Sequence, residues 1–298
     1  MSEIKLFSIK DTVKERTSSK VSLEKELQRL IEQNMEIFFG VRFLESEYSI
    51  TNGRMDSIGI DENNSPVIFE YKRSQNENVI NQGLFYLDWL LDHKADFQLL
   101  VIKKLGMEVA NNIDWSVPCV ICIAHDFTKY DIHAVNQMQR NIKLVSYRKY
   151  DNELILFEHL NAPIVKPISE NTISNNDTKD SSKKNHVEKL ELASNDMKNL
   201  YHSICDYIES LGDDIAQNQL NNYLAYKKAK NFACIEIYNK KIILFLKLSP
   251  GTVALENGFT SDMRNKGHHG TGDLQVAIKS VADFEKAKPL IERAYNEA

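Results

Sequence analysis

The 298-residue sequence is short of the features that define several protein classes. It has no run of about 18 apolar residues, so we expect no membrane span. Its N-terminal residues lack the apolar core of a signal peptide, so we expect a cytoplasmic location. Its four cysteines are too few and too scattered for a disulfide framework. The net charge of −5 counts against non-specific binding to nucleic acid, although it leaves room for a local basic surface.

Two of the cysteines, Cys119 and Cys122, form a Cys-x-x-Cys motif inside the strand-like run 117–124. Residues three apart on a strand face opposite ways, and the sequence has no second cysteine pair that would complete a zinc site. A structural role is therefore favoured over a zinc or redox role.

The most informative segment is a predicted β-hairpin that carries three ionisable residues. Strand patterns over 54–61 and 67–72 flank a short polar turn. If the turn has three residues, Asp56 lies opposite Glu70. Opposed residues point to the same side of the sheet with Cβ atoms roughly 4.5–5.5 Å apart, and Lys72 shares the face of Glu70. The hairpin therefore places two carboxylates beside one ammonium group.

Two interpretations of this cluster are open on the residues alone. Like charges that oppose each other destabilise a hairpin, so a purely structural cluster needs Lys72 as the compensating cation. A divalent metal ion is the alternative, because Mg²⁺ takes hard oxygen ligands, keeps several waters and needs only one or two carboxylates.

An amphipathic helix over 76–94 follows the hairpin, with apolar residues at helical spacing. Gln82 and Tyr86 are four residues apart and lie on one face of this helix, where an amide and a phenol could reach the carboxylates or a substrate. The plainer interpretation places Tyr86 in the core and Gln82 in solvent.

Together these residues resemble the PD-(D/E)XK nuclease superfamily, and in particular the catalytic domain of NucS-type endonucleases. The resemblance covers about the first half of the chain and includes the Gln-x-x-x-Tyr motif of the RecB-like branch. It implies a restriction-endonuclease-like mixed sheet flanked by helices. It also implies an acidic residue on the helix that precedes the hairpin, for which Glu24 is our choice and Glu26 the alternative.

The resemblance assigns roles to these residues. It implies that Asp56, Glu70 and Glu24 bind the metal, Mg²⁺ or in its place Mn²⁺, and that Lys72 positions or polarises the attacking water. It further implies catalytic support from Gln82 and Tyr86. The residues that it places against nucleic acid, with DNA as the expected partner, are Arg54, Lys72 and Gln82; Arg54 is equally placed to pair with a neighbouring carboxylate.

The order of elements predicts an α/β fold for the first half, with hairpins and helices alternating between residues 42 and 160. After the helix over 76–94 we expect a strand over 97–103, a short helix, a strand over 117–124, a helix over 128–140 and a hairpin over 142–159. We expect residues 1–162 to form this domain.

The remaining residues predict a linker and a second domain. Residues 163–194 are polar and read as a flexible linker. Residues 195–298 predict a smaller α+β domain that resembles a domain of unknown function, with a helix, a hairpin, a strand and a closing helix. Its segment 262–272, rich in glycine and histidine, is either an anion-binding loop or a glycine-rich turn between strands, and we favour the turn.

Two classes of function follow. The first is a metal-dependent endonuclease that hydrolyses phosphodiester bonds in DNA. The alternative is a non-catalytic nucleic-acid-binding or regulatory module that keeps the nuclease fold. In either class the C-terminal domain could bind a ligand or a protein, and a homodimer remains open.

Overall fold

The computed structural model describes residues 4–10, 12–19, 24–72, 79–138, 140–151, 153–161, 185–228 and 230–298. The chain divides into two compact units. Unit 1 comprises Met1–Ile60, Pro66–Asn111 and Pro118–Pro163, whereas unit 2 comprises Asp61–Ser65, Asn112–Val117 and Ile164–Ala298. Among the described residues, no helix is long and apolar enough to cross a membrane.

Unit 1 contains a mixed sheet and the helices that flank it. Its elements in chain order are β1 (Leu6–Ser8), β2 (Lys14–Arg16), β3 (Ser18–Ser19), α1 (Glu24–Phe39), β4 (Val41–Ile50), β5 (Gly53–Asp61), β6 (Pro66–Lys72), α2 (Val79–Asp92), α3 (Lys94–Leu105), α4 (Met107–Asn111), β7 (Cys119–Ala124), α5 (Lys129–Gln137), β8 (Ile142–Tyr150) and β9 (Leu154–His159). The strand β5 runs into the first residue of unit 2.

The sheet of unit 1 has the order β3-β8-β7-β6-β5-β4, with β9 paired to β8. The pair β5–β6 is antiparallel, whereas β6–β7 and β7–β8 are parallel. The return to antiparallel pairing at β8–β9 makes the sheet mixed. The α/β fold with a mixed sheet is therefore confirmed.

The register of the β5–β6 hairpin agrees with the sequence prediction. Ser57 pairs with Phe69 and Ile60 pairs with Pro66. Continued by one residue, the same register sets Asp56 opposite Glu70. The turn has the three residues expected, because the backbone N–H of Asp61 donates to the carbonyl of Ser65 at 2.9 Å.

Helices cover both faces of this part of the sheet. On one face, α1 packs through Leu27, Ile31, Met35 and Phe39 against Val67, Phe69 and Tyr71. It ends at Gly40, whose φ of 66° is unfavourable for residues with a Cβ atom. On the other face, α2 lies so close to β7 that a Cβ atom added at Gly83 would be 2.7 Å from Cγ1 of Val120. This second face also carries Glu70.

The predicted strand over 97–103 is wrong, because these residues belong to α3. Phe97, Leu100 and Val101 are buried at helical spacing, whereas Leu99 is 63% exposed. A short apolar run does not distinguish a buried strand from a helix, and here the packed residues recur with a period of 3.6. The predicted helix over 76–94 is α2, and its residues 76–78 lie outside the described part of the chain.

Unit 2 is an antiparallel sheet covered by two long helices. Its elements are α6 (His186–Leu192), α7 (Asn195–Glu209), β10 (Ala216–Gln219), β11 (Leu224–Lys227), β12 (Asn231–Tyr238), β13 (Lys241–Leu246), β14 (Thr260–Asp262), β15 (Leu274–Ile278) and α8 (Val281–Asn296). The strand order is β10-β11-β12-β13-β15-β14. Apolar residues of α7 and α8 share one core with the inner face of the sheet, which confirms the expected α+β architecture.

The described end of the predicted linker is helical. Residues 162–184 lie outside the described part of the chain, but α6 occupies His186–Leu192. Asn185 and Glu188 form a capping box at its start. The composition of this stretch is polar, and the sequence interpretation missed the cap and extended the linker to residue 194.

Candidate functional site

The hairpin brings the carboxyl groups of Asp56 and Glu70 together. The backbone N–H of Asp56 donates to Oε1 of Glu70 at 3.2 Å. The backbone N–H of Tyr71 donates to Oδ2 of Asp56 at 2.9 Å. Each carboxylate is thus tied to the opposite strand, so neither depends on a flexible rotamer for its position.

Burial makes this pair electrostatically unusual. Glu70 is 2% exposed. Burial, followed by the charge of Asp56, raises the pKa of Glu70 to about 9. Burial also raises the pKa of Asp56, against the opposing effects of the Tyr71 N–H and of Lys72. The two carboxyl groups interact, and the charge of Asp56 favours the protonated form of Glu70.

Lys72 lies at the same end of the hairpin. Its charge acts on both Asp56 and Glu70, and its Nζ atom is 3.9 Å from Oε1 of Glu24 on α1. Its side chain is only 15% exposed. Glu26, the alternative acid, instead pairs with Lys149 at 3.3 Å. Of these two acids, Glu24 is the one whose ion pair with Lys72 is seen.

Arg54 forms an ion pair with a neighbouring carboxylate, which is the alternative that the sequence left open for it. Its NH1 atom is 2.6 Å from Oε2 of Glu47, and Lys25 Nζ is 3.1 Å from the other oxygen of the same carboxylate. Glu47 has a φ of 54°, an uncommon conformation for a residue in a strand. Its charge contributes to the raised pKa of Asp56, so Glu47 belongs to the electrostatic surroundings of the site.

The two residues of the α2 motif differ in their surroundings. Tyr86 is 7% exposed, and its ring lies against Gly53 at the start of β5. Burial, followed by the charge of Glu70, raises its pKa. Gln82 is exposed, and within the described part of the chain its amide has no hydrogen-bond partner. The structure brings Tyr86 to the cluster and leaves Gln82 at the surface.

The sequence interpretation missed a buried polar network on the opposite face of the hairpin. It joins Gln28 and Glu32 of α1 to Ser57 of β5 and Tyr71 of β6. The available signal was Gln28, a polar residue on the buried stripe of α1 between Leu27 and Ile31.

Two side chains of the loop over 262–272 have partners within the loop. The ring nitrogens of His268 lie 2.9 Å from the carbonyl of Lys266 and 3.1 Å from that of Gly272. Arg264 pairs with the carboxylate of Asp262. This arrangement agrees with the favoured interpretation, a glycine-rich turn.

Two family models match the chain. A model described as the endonuclease NucS C-terminal domain matches residues 23–111. A model described as a domain of unknown function (DUF5655) matches residues 185–298. The first match contains the hairpin and α2, and the second contains the helices and the sheet of unit 2.

One curated relative aligns over nearly the whole chain. It is an uncharacterised protein of Haemophilus influenzae, 32% identical over 299 residues, which cover 98% of this chain and 99% of the relative.

Solved structures give more distant similarities. A repair endonuclease from Pyrococcus abyssi is 19% identical with a TM-score of 0.29, over 44% of this chain and 50% of that chain. A structure described as an EndoMS complex with double-stranded DNA has the same identity and TM-score, over 43% of this chain and 47% of the other. The alignment thus spans about half the length of these solved chains.

Proposed function

This chain belongs to the same family as the Haemophilus influenzae protein and, by its N-terminal part, to the NucS-like nuclease branch; on that premise we propose that it is a metal-dependent endonuclease that hydrolyses phosphodiester bonds in DNA. The observation that carries the proposal is the position of Asp56 and Glu70, which face each other across the hairpin with Lys72 at the same end.

The donor set fits a hard divalent cation. Two buried carboxylates without a metal retain a proton, as the pKa of about 9 for Glu70 indicates. A dication in place of that proton would neutralise both groups at once. Among the described residues no cluster of three acidic, histidine or cysteine side chains suits a metal, but Mg²⁺ needs only one or two carboxylates because it retains waters. Asp56 and Glu70 would hold the ion, with Glu24 as a further acid, and Mn²⁺ could replace Mg²⁺.

The bound ion would supply a more acidic water and would offset the charge that develops on the scissile phosphate. The other residues act around it. The ammonium group of Lys72 would donate to the attacking water or to a phosphate oxygen. The hydroxyl of Tyr86, near Glu70, orients the site. Gln82 and Arg54 are exposed, and Arg54 would exchange Glu47 for a phosphate.

Cleavage assays with labelled nucleic acids test this proposal. The substrates are single-stranded, duplex and branched DNA together with RNA, each with Mg²⁺, with Mn²⁺ and with a chelator. We expect metal-dependent cleavage of at least one DNA substrate and a loss of at least about 100-fold in turnover for Lys72→Ala. Lys72→Arg should retain DNA binding but lose most turnover, because a planar fork replaces a compact donor.

Lys149→Ala is the matched control, since Lys149 also belongs to a partly buried ion pair with an acid of α1. It should cleave as the wild type does. Near-normal cleavage by Lys72→Ala at saturating Mg²⁺ would contradict the assigned role. DNA binding without cleavage of any substrate would favour the non-catalytic alternative.

A further inference from the structure

A continuous string of buried polar groups runs behind the carboxylate pair. The hydroxyl of Tyr71 donates to Oγ of Ser57 at 3.2 Å, and the hydroxyl of Ser57 donates to Oε1 of Glu32 at 2.6 Å. The amide nitrogen of Gln28 lies 2.9 Å from the same oxygen of Glu32. Gln28 is 5% exposed, and Ser57 and Tyr71 are fully buried. Buried polar groups require such partners, so this network fixes the side chains that form it.

Each member of the network holds the backbone next to a candidate metal ligand. The amide of Gln28 also donates to the carbonyl oxygen of Asp56 at 2.8 Å. Ser57 directly follows Asp56 in β5. Tyr71 stands between Glu70 and Lys72 in β6, and its own N–H donates to the Asp56 carboxylate at 2.9 Å. The network thus fixes both strands at the residues that present the carboxylates.

Glu32 is the acceptor that Ser57 and Gln28 share in this network. Glu32 receives hydrogen bonds from Ser57 and Gln28 at the same oxygen atom, and no other member is a carboxylate. Glu32 does not face the candidate metal site directly, because Ser57 points to the opposite side of β5 from Asp56. Without this acceptor the hydroxyl of Ser57 would lose the group to which it donates, and the amide of Gln28 would keep only its hydrogen bonds to the Asp56 carbonyl and to Oγ of Ser46.

We propose that Glu32 is a positioning residue of the metal site, acting through Ser57 and Gln28 on the backbone of Asp56 and through Tyr71 on the strand of Glu70. The inference rests on the proposed function, since it assumes that Asp56 and Glu70 hold a divalent cation. It assigns to α1 a second contribution besides Glu24. Groups that orient metal ligands typically change metal affinity by about 10–100-fold when they are removed.

Binding of Mn²⁺ to the DNA-free full chain, measured by electron paramagnetic resonance, tests the proposal without any cleavage. Glu32→Ala should weaken Mn²⁺ binding by about 10-fold or more. Glu32→Gln should stay within about 3-fold of the wild type, because its amide oxygen can accept both hydrogen bonds. Gln33→Ala, an exposed change on the same helix, is the control and should bind as the wild type does.

The outcomes separate the alternatives. Wild-type Mn²⁺ affinity in Glu32→Ala would overturn the proposal. An equal loss in Glu32→Gln and Glu32→Ala would overturn it too, because Glu32 would then act through its charge and not through the hydrogen bonds that it accepts. Ser57→Ala and Tyr71→Phe provide the same test if Glu32→Ala fails to fold, and both should weaken Mn²⁺ binding.

Cleavage measured in parallel distinguishes the two proposals. A wild type that binds Mn²⁺ and responds to Glu32→Ala but cuts no substrate would retain the positioning role and refute the nuclease. A wild type that cuts DNA while Glu32→Ala changes neither Mn²⁺ affinity nor turnover would retain the nuclease and refute the positioning role. Failure of the wild type to bind Mn²⁺ would refute the positioning role outright.

Discussion

Burial of Glu70 makes the stability of the folded protein depend on pH. Its pKa of about 9 means that the folded, metal-free protein keeps a proton there, whereas the unfolded chain releases it near pH 4.5. The contribution of protonated Glu70 to the stability of the folded protein is therefore complete below about pH 4.5 and is lost as the pH rises toward 9. A bound cation would reverse this dependence, because metal ligands must be deprotonated.

Glu70→Gln should make the metal-free protein more stable at high pH. An amide keeps the size of the side chain and cannot ionise, so we expect a higher thermal midpoint than the wild type at pH 9, little difference at pH 5 and no cleavage with Mg²⁺. Thermal unfolding in a chelating buffer at both pH values measures this effect. Glu45→Gln, which changes a partly exposed carboxylate on β4, should show no such dependence. A large destabilisation by Glu70→Gln at pH 9 would mean that Glu70 is a member of a structural ion pair.

The facing of Asp56 and Glu70 could be predicted from the sequence because it depends only on alternation and on the length of one turn. The network around Glu32 could not be predicted in this way. It depends on how α1 packs against the hairpin, which brings together residues 25 positions apart, such as Glu32 and Ser57. The roles of the site residues themselves stay predictions.

At the scale of elements, the closeness of α2 to the sheet decides where Tyr86 lies. Gly83→Ala should destabilise unit 1 by about 1–3 kcal/mol and lower activity. The new Cβ atom would lie 2.7 Å from Cγ1 of Val120, which outweighs the roughly 1 kcal/mol that alanine gains in a helix. Chemical denaturation measures the loss.

A second change provides the control for this contact. Val120→Ala removes the opposing methyl group, so Gly83→Ala should cost less in that background than in the wild type. Asn81→Ala, at an exposed position of α2, should be nearly neutral. Equal costs in both backgrounds would show that the contact with Val120 does not limit the packing of α2.

The helix α6 contains a buried histidine that makes the stability of unit 2 sensitive to acid. His186 is 1% exposed, and its Nε2 atom lies 3.0 Å from the hydroxyl of Tyr201. Burial lowers the pKa of His186 to about 4. In the unfolded chain this histidine takes up a proton near pH 6.5, whereas in the folded unit it does so only near pH 4. The folding stability of unit 2 therefore decreases as the pH falls from about 6.5 to 4.

His186→Gln should flatten this acid dependence. We expect the thermal midpoint of wild-type unit 2 to decrease when the pH is lowered from 7 to 4.5. The midpoint of the variant should decrease less over the same interval. His202→Gln, which changes an exposed histidine of α7, should retain the wild-type slope. An unchanged slope in His186→Gln would assign the acid sensitivity of this unit to other groups.

Elements with strong local signals could be predicted from the sequence, and those without them could not. The hairpin β12–β13 and the helices α7 and α8 carry clear periodicity and were predicted. The strands β10 and β14 were not, because they are short and gain their stability from neighbours in the sheet. The helix α3 was mistaken for a strand because the sequence does not show which of its apolar residues are exposed.

For the molecule as a whole, unit 2 includes two segments from the first half of the chain in addition to its C-terminal residues. Residues 61–65 and 112–117 belong to it. Oδ1 of Asn63 accepts hydrogen bonds from Tyr223 at 3.0 Å and from Asn231 at 2.5 Å. Val117 packs in the apolar cluster on the outer face of the sheet. Both Asn63 and Asn231 are buried.

A fragment of residues 185–298 should therefore unfold at a lower temperature than unit 2 does in the full chain, because it lacks these two segments. Differential scanning calorimetry of the fragment and of the full chain compares the two. Asn63→Ala in the full chain should lower the same transition, since it leaves the amide of Asn231 with one acceptor fewer. Identical transitions in the fragment and the full chain would show that the inserted segments contribute nothing.

The turn between β5 and β6 consequently has two structural roles. Its length keeps Asp56 opposite Glu70, and its side chains are structural parts of unit 2. Hairpin tips are usually where natural sequences accept insertions and deletions. In this protein a gain or loss of one residue at the tip would turn a strand face over and would also remove the buried amide of Asn63 from its two donors. A chimera that takes the C-terminal stretch from a relative should therefore also take residues 61–65 from that relative, because they belong to the same unit.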